Sequence, residues 1–254
     1  MRMARSLGWA ALGTLFTFLM TTLGAALVFF FSGAPRPRFQ KLLLGFAAGV
    51  MTAASVWSLL LPSVDRAAEL GRYPGWLSAA AGMLAGAVFL AVLDALLPRL
   101  RRLAADEDRR RQTLLMTAIT LHNVPEGMAV GLAFALAAGG EHFAGAAALA
   151  LGIGIQNFPE GAAIALPLRQ EGWSRRRAFA AGMLSGVVEP VFGVAVVLAA
   201  AGAEVLMPWL LSFAAGAMVY VVVEELIPQA HSRTGTCGFV AGFLVMMVLD
   251  IALG

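Results

Sequence analysis

The chain has 254 residues, of which 60% are hydrophobic and 13% are charged, with a formal net charge of +3 and a single cysteine. This composition excludes an ordinary soluble domain, and one cysteine excludes both an intramolecular disulfide and a thiolate metal cluster within one chain. The basic residues lie mainly in short loops between apolar segments, which is typical of signals for membrane topology rather than of nucleic-acid binding.

Apolar runs of about 20 residues, long enough to cross a bilayer, predict eight spans. They indicate an all-α polytopic membrane protein in which residues 1–254 form one transmembrane domain. The spans are expected at 7–31, 42–62, 75–98, 113–137, 143–167, 178–201, 206–228 and 234–253. The first apolar run is too long for the core of a signal peptide, so we expect it to be retained.

The loops indicate the orientation of the chain, because an even number of spans places both termini on one side. Most of the 18 lysine and arginine residues follow spans one, three, five and seven. The positive-inside rule assigns those loops to the cytoplasm, so we expect both termini on the non-cytoplasmic side. The longest loop, 99–112, mixes acidic and basic side chains and is expected to be a solvated cytoplasmic loop.

The predicted fourth and fifth spans carry two copies of one motif, Asn-x-Pro-Glu-Gly. Spacings of three and four residues place its polar side chains on one face of each helix, and the prolines free backbone carbonyls of the preceding turn. The polar motif residues are His122, Asn123, Glu126, Gln156, Asn157 and Glu160. Ionisable groups inside a membrane usually line a functional path, and imidazole, carboxylate and amide groups predict a divalent-metal site.

Several of the candidate residues also have a purely structural interpretation. His122 could join two helices by a hydrogen bond, and the asparagines could bond a kinked backbone. Glu189, beside Pro190 in the sixth span, could be a protonated side chain bonded to a neighbouring helix, or a third carboxylate ligand. We favour ligation, because carboxylates without a cation at mid-bilayer would repel one another or take up protons.

Two further sets of residues have open roles. One is a stripe along span two, which by periodicity alone is ordinary packing. The other is a group of carboxylates near the predicted cytoplasmic ends of spans three and seven, which could line an acidic exit or pair with loop arginines. The stripe consists of Met51, Ala54 and Ser58, and the carboxylates are Asp94, Glu224 and Glu225.

The paired motifs, Glu189, the span-two stripe and the eight-span outline together resemble the ZIP (Zrt-, Irt-like) family of divalent metal transporters, and are similar to its GufA-type bacterial branch. The resemblance implies inward transport of zinc, or of cadmium, iron or manganese, through an intramembrane binuclear site, without a prosthetic group. It implies alternating access by a transport bundle that slides against a dimerising scaffold, hence a homodimer, in the bacterial inner membrane. The near-repeat of spans four and five suggests inverted-repeat character, arranged 3+2+3.

The resemblance also assigns roles by position. It implies one metal site at His122, Glu126, Gln156 and Glu160. It implies an adjacent site at Asn123, Asn157 and Glu189, with both motif glutamates shared. The span-two stripe would line the outer entrance, and Asp94 and Glu225 the cytoplasmic exit. Some members carry aspartate where this chain has Asn157, so the second site has one fewer charge available.

Two rival classes remain to be weighed. An intramembrane zinc protease would need a His-Glu-x-x-His motif, which the sequence lacks, and an oxidase with histidine boxes would need many more histidines than the three present. A proton or anion carrier that uses glutamate relays would leave His122 and Gln156 without a purpose. We therefore predict a transporter rather than an enzyme.

Overall fold

The computed structural model describes residues 2–31, 37–101, 123–137, 143–200 and 204–253. Within these ranges the chain is almost entirely helical and has no β-strand, as the sequence predicts. His122 lies immediately outside the described residues, and so does most of the loop 99–112. The predicted fourth span, 113–137, is described only from Asn123 onward.

Eight helices can be numbered in the described ranges when a helix that contains a wider turn or a short break is counted once. They are α1 (Arg2–Ala26), α2 (Pro37–Leu70), α3 (Gly75–Arg101), α4 (123–136), α5 (Phe143–Gln170), α6 (Arg175–Ala200), α7 (Met207–Ala230) and α8 (Arg233–Leu253). All except α4, which is described only from residue 123, are long and apolar enough to span a membrane. The chain is an integral membrane protein.

Three of these helices are irregular near a proline. In α2 the segment Ser55–Leu60 forms a π-helical turn before Pro62, and in α7 the segment Val222–Leu226 does so before Pro228. Helix α6 is interrupted at Val187, just before Pro190. A proline cannot donate a backbone hydrogen bond, and π turns and breaks accommodate the carbonyl that loses its partner. As a result α2 continues to Leu70, beyond the predicted end at residue 62.

The helices pack most extensively in the pairs α2/α8, α1/α5 and α3/α7. Helix α1 also packs along α6, while glycines of α4 approach the backbone of α6. The described helices thus form two groups. We call α1, α4, α5 and α6 the first group, and α2, α3, α7 and α8 the second group. Helix α5 of the first group packs against α2 and α8 of the second group.

Contacts within a group bring two backbones together at glycine. A Cβ atom at Gly238 of α8 would overlap the Leu42 carbonyl oxygen of α2, and one at Gly161 of α5 would overlap the Thr21 carbonyl oxygen of α1. Small residues allow such close approach between membrane helices. Between the groups the contact is different, because Gly152 of α5 faces the thioether of Met246 on α8. At these two glycines backbone therefore meets backbone within a group, whereas a flexible side chain fills this part of the boundary.

Candidate metal centre

The polar residues predicted to form the centre are buried wherever the structure describes them, except for one. The side chains of Glu126 and four others have a relative exposure of 1% or less. These four are Asn123, Gln156, Asn157 and Glu189. Glu160 is half-buried. Because such burial removes water as a hydrogen-bond partner, the protein itself or a ligand must satisfy each polar atom.

A hydrogen bond joins the two motif copies. Gln156 of α5 donates from Nε2 to Oε1 of Glu126 on α4 over 2.5 Å. The remaining oxygen of each side chain, Gln156 Oε1 and Glu126 Oε2, has no hydrogen-bond partner. The contact therefore orients both side chains and leaves one oxygen of each available.

Asn157 makes a second connection, from α5 to α6. Its Nδ2 donates to Glu189 Oε2 at 3.0 Å and lies 3.5 Å from the Thr17 carbonyl oxygen of α1. The hydroxyl of Thr21, also on α1, lies 3.3 Å from Glu189 Oε1 and donates to it. Asn157 Oδ1 has no partner. Sequence reasoning missed the two threonines, because their hydroxyls are ordinary within one helix and only the packing of α1 brings them to the site.

Asn123 completes the arrangement by joining α4 to α6. Its Nδ2 donates to the Ser185 carbonyl oxygen at 3.0 Å, immediately before the break in α6. Its Oδ1 likewise has no hydrogen-bond partner. The structure therefore connects all five buried candidates through bonds between α4, α5 and α6, with α1 alongside.

One pattern unites these residues. Each of the three amides donates its NH₂ group to a fixed acceptor, which leaves its oxygen unpaired. With Glu126 Oε2, four buried oxygens lack hydrogen-bond partners: Asn123 Oδ1, Glu126 Oε2, Gln156 Oε1 and Asn157 Oδ1. An unsatisfied buried polar group costs about 1–3 kcal/mol, and native proteins keep few of them. Carboxylate and amide oxygens without donors are the groups that a hard or borderline cation accepts as ligands.

The charges support the same interpretation. Glu126 interacts electrostatically with both Glu160 and Glu189, and Glu189 interacts with Glu160. Three carboxylates in one buried region repel one another, and a bound cation would offset that repulsion. No three His, Cys, Asp or Glu side chains within the described ranges form a metal site by themselves. A metal held by the described residues would therefore also need amide oxygens as ligands.

The stripe on α2 divides into a buried part and a polar contact. Met51 and Ala54 are buried, with exposures of 1% and 0%. Ser58 donates to Oδ1 of Asp250 on α8 at 2.6 Å, and Asp250 Oδ2 has no partner. Asp250 is a carboxylate inside an apolar span, which is a signal that the sequence offered and that the sequence analysis did not use.

The predicted exit carboxylates all interact with one tyrosine. Tyr220 of α7 interacts with Asp94 of α3 and, electrostatically, with Glu224 and Glu225. Both glutamates belong to the π-helical turn of α7. The exit role of these carboxylates and their pairing with loop arginines both stay predictions, and the side chain of Arg99 lies outside the described part of the chain.

We predict that Asn157→Asp destabilises the metal-free protein and increases the stabilisation that bound Zn²⁺ provides. The variant replaces a donor to Glu189 by a second carboxylate, so the metal-free protein should lose about 1–3 kcal/mol of stability. Zn²⁺ should then raise its melting temperature in detergent more than it raises that of the wild type. The exposed change Gln170→Glu, on the same helix, serves as the control. Equal Zn²⁺ shifts in all three proteins would remove Asn157 from the site.

Comparison with known proteins identifies the family. The family model described as ZIP zinc transporter matches residues 100–250. The human zinc transporter ZIP11 is 38% identical, over 96% of this chain and 97% of that protein. The zinc transporter GufA of Myxococcus xanthus is 38% identical over 83% of this chain and 86% of that protein. The zinc transporter ZIPB of Bordetella bronchiseptica is also 38% identical, over 97% of this chain and 82% of that protein.

These matches confirm the resemblance expected from the paired motifs, including its GufA-type character. They also exclude the rival enzyme classes, because the proteins of this family are membrane transporters. The chain belongs to the ZIP family of zinc transporters.

Proposed function

We propose that this protein carries zinc into the cytoplasm through an intramembrane site that holds two ions. The observation that carries the proposal is the set of four buried oxygens without hydrogen-bond partners on α4 and α5. The names of the relatives, all zinc transporters, support zinc as the substrate. The metal is cargo, so its site must bind and release it.

We assign the ligands to two adjacent ions. Glu126 is suited to a shared position, because it bonds Gln156 on one side and interacts with Glu160 and Glu189. One ion would be held by His122, Glu126, Gln156 and Glu160. The other would be held by Asn123, Asn157 and Glu189 together with the shared Glu126 and Glu160.

The ligand chemistry suits zinc and leaves room for cadmium, ferrous iron and manganese. Imidazole, carboxylate and amide groups without thiolate favour these ions over Cu⁺. Closed thiolate cages are typical of structural zinc sites, whereas transport needs reversible binding. Neutral amide oxygens supply ligands without adding charge, so release toward the cytoplasm is easier than from a site built only of carboxylates. We propose that Asp94, Glu224 and Glu225 receive the ion at the exit, and that the α2 stripe lines the entrance.

We predict that Glu126→Gln lowers Zn²⁺ uptake into proteoliposomes at least tenfold. Glutamine still accepts the Gln156 hydrogen bond, so the helices stay joined, but the charge that both ions share is lost. The measurement is the initial rate of an entrapped fluorescent zinc indicator, with protein amounts matched.

The matched control is Glu171→Gln, an exposed glutamate after α5, which should transport like the wild type. Wild-type rates with Glu126→Gln would sink the binuclear proposal. If the wild-type protein moved neither Zn²⁺, Cd²⁺, Fe²⁺ nor Mn²⁺, the transport proposal itself would be wrong.

We further propose that access alternates because the first group of helices slides against the second. Within each group, backbones interlock at glycines such as Gly161 and Gly238. At the boundary, the atoms nearest to a Cβ at Gly152 belong to the flexible Met246 side chain and, more distantly, to Val50. Contacts of this kind can be exchanged at lower cost than backbone overlaps. The 3+2+3 inverted-repeat character and the homodimer stay predictions from the resemblance.

The sliding proposal predicts that a covalent link at this boundary stops transport. The variant carries Gly152→Cys and Met246→Cys in a Cys237→Ser background, which removes the exposed native thiol. Oxidation should lower Zn²⁺ uptake by the double variant at least tenfold, and a reductant should restore it, while the uptake rate of each single variant should not change on oxidation. Undiminished uptake by protein whose disulfide has been verified by mass would contradict sliding at this contact.

We also propose that both termini lie on the non-cytoplasmic side of the bacterial inner membrane, as the loop charges suggest. The test uses two exposed turn positions, Arg72 between α2 and α3 and Glu171 between α5 and α6. In a Cys237→Ser background, a membrane-impermeant maleimide should label Arg72→Cys in intact cells and Glu171→Cys only after the cells are opened. The reverse labelling pattern would invert the proposed orientation.

A further inference from the structure

The two buried carboxylates of the centre are held differently. Glu126 accepts from Gln156 at Oε1, and its Oε2 has no hydrogen-bond partner. Glu189 accepts at both oxygens, from the Thr21 hydroxyl at Oε1 and from Asn157 Nδ2 at Oε2. The orientation of the Glu189 carboxylate is therefore fixed by residues of two helices, α1 and α5. Helix α1 carries no residue of the predicted ligand set.

Thr21 is held firmly in place for this contact. Its side chain is fully buried. Helix α1 lies so close to α5 that a Cβ at Gly161 would overlap the Thr21 carbonyl oxygen, and one at Gly24 would overlap the Phe158 carbonyl oxygen. Both neighbours on α5 belong to the second motif copy. The second motif and the Thr21 hydroxyl thus occupy a fixed relative position.

Thr17 of α1 donates to the Thr14 carbonyl at 3.0 Å, and its side chain also interacts with Glu189. Thr14 and Thr22 show what is ordinary in this helix. Thr14 donates to the Ala10 carbonyl at 2.7 Å and Thr22 to the Phe18 carbonyl at 2.9 Å. Such bonds to the preceding turn are the usual choice for threonine within a helix. Thr21 has that choice too, at 3.3 Å from the Thr17 carbonyl, but it also lies 3.3 Å from a carboxylate oxygen. A carboxylate is the stronger acceptor.

We propose that Thr21 is a positioning residue for the second metal ion, which it serves by holding Glu189. The inference rests on the proposed function and deepens it. With Oε1 of Glu189 held by Thr21, Oε2 faces the Asn157 amide and engages its Nδ2. That bond keeps the NH₂ group of Asn157 on the Glu189 side and leaves Asn157 Oδ1 as the free oxygen.

The chain of contacts has a selective consequence. Loss of the Thr21 hydroxyl removes this donor from Glu189 Oε1, so the carboxylate, and with it the Asn157 amide, is held less firmly. The hydrogen bond between Gln156 and Glu126 involves neither Thr21 nor Glu189. The effect should therefore appear in how tightly zinc is bound during transport, and less in the amount of folded protein or the maximal rate.

The test compares Thr21→Val with Thr21→Ser and Thr14→Val in proteoliposomes. Valine matches threonine in shape and lacks the hydroxyl, serine restores the hydroxyl, and Thr14 is an equally buried α1 threonine bonded to its own helix. For Thr21→Val we expect the Zn²⁺ concentration at half-maximal rate to rise about tenfold, as for loss of a hydrogen bond to a charged group. Thr21→Ser and Thr14→Val should stay within about twofold of the wild type.

A double-mutant cycle establishes whether Thr21 acts through Glu189. In a Glu189→Gln background, Thr21→Val should add little further change, because the group that Thr21 positions has been altered. An unchanged half-saturating concentration in Thr21→Val would overturn the inference, and so would a full additional tenfold rise in the Glu189→Gln background. If Thr21→Val does not accumulate, Thr21→Ala removes the hydroxyl without adding a methyl group and decides the question by the same readout.

The outcomes separate this inference from the transport proposal. Wild-type uptake combined with unchanged half-saturation in Thr21→Val refutes only the role of Thr21. Absence of saturable metal uptake by the wild type refutes the proposed function and the role of Thr21 together. A loss of maximal rate at constant half-saturation, not rescued by serine, would make Thr21 a packing residue.

Discussion

Amide and carboxyl groups buried among membrane helices have no water to bond, so each must find a partner in the protein or in a ligand. The centre of this protein meets that constraint in part. Every side-chain amide in the centre donates to a protein acceptor on another helix, and these bonds join α4, α5 and α6. The corresponding oxygens are left unpaired. The same bonds that hold the helices together thus create an electron-rich site in which a cation can replace the missing donors.

Glycines and prolines have different effects on the packing around the centre. Glycines allow backbones to touch within each group of helices, which fixes α1 against α5 and α2 against α8. Prolines, in contrast, lie near irregular parts of the helices, namely the π turns in α2 and α7 and the break in α6. Ser58, Glu224 and Glu225 lie in such turns, and Glu189 follows the break. Close packing and local irregularity together bring polar groups to positions that a regular helix would direct elsewhere.

Much of the fold followed from hydropathy alone, since apolar length is a strong signal for a membrane span. Hydropathy did not predict the end of α2. This helix continues through Pro62 into a less apolar segment, and hydropathy does not show whether such a segment is helical. The ligand-type residues were also evident from the motif spacing. Their hydrogen-bond partners were not: Ser185, Thr17 and Thr21 are unremarkable in sequence, and they reach Asn123, Asn157 and Glu189 only through contacts between distant parts of the chain.

The sequence by itself determined that this protein is a bundle of membrane helices with paired carboxylate and amide motifs, because hydrophobic length and helical periodicity are local properties. Only the tertiary structure decided which oxygen of each amide and carboxylate stays free. That choice depends on the acceptor or donor that lies on a neighbouring helix. For example, Gln156 donates to one oxygen of Glu126, and Thr21 donates to one oxygen of Glu189. Hydrogen bonds between helices far apart in sequence have no local signature, so the available ligand atoms become definite only when the helices are packed.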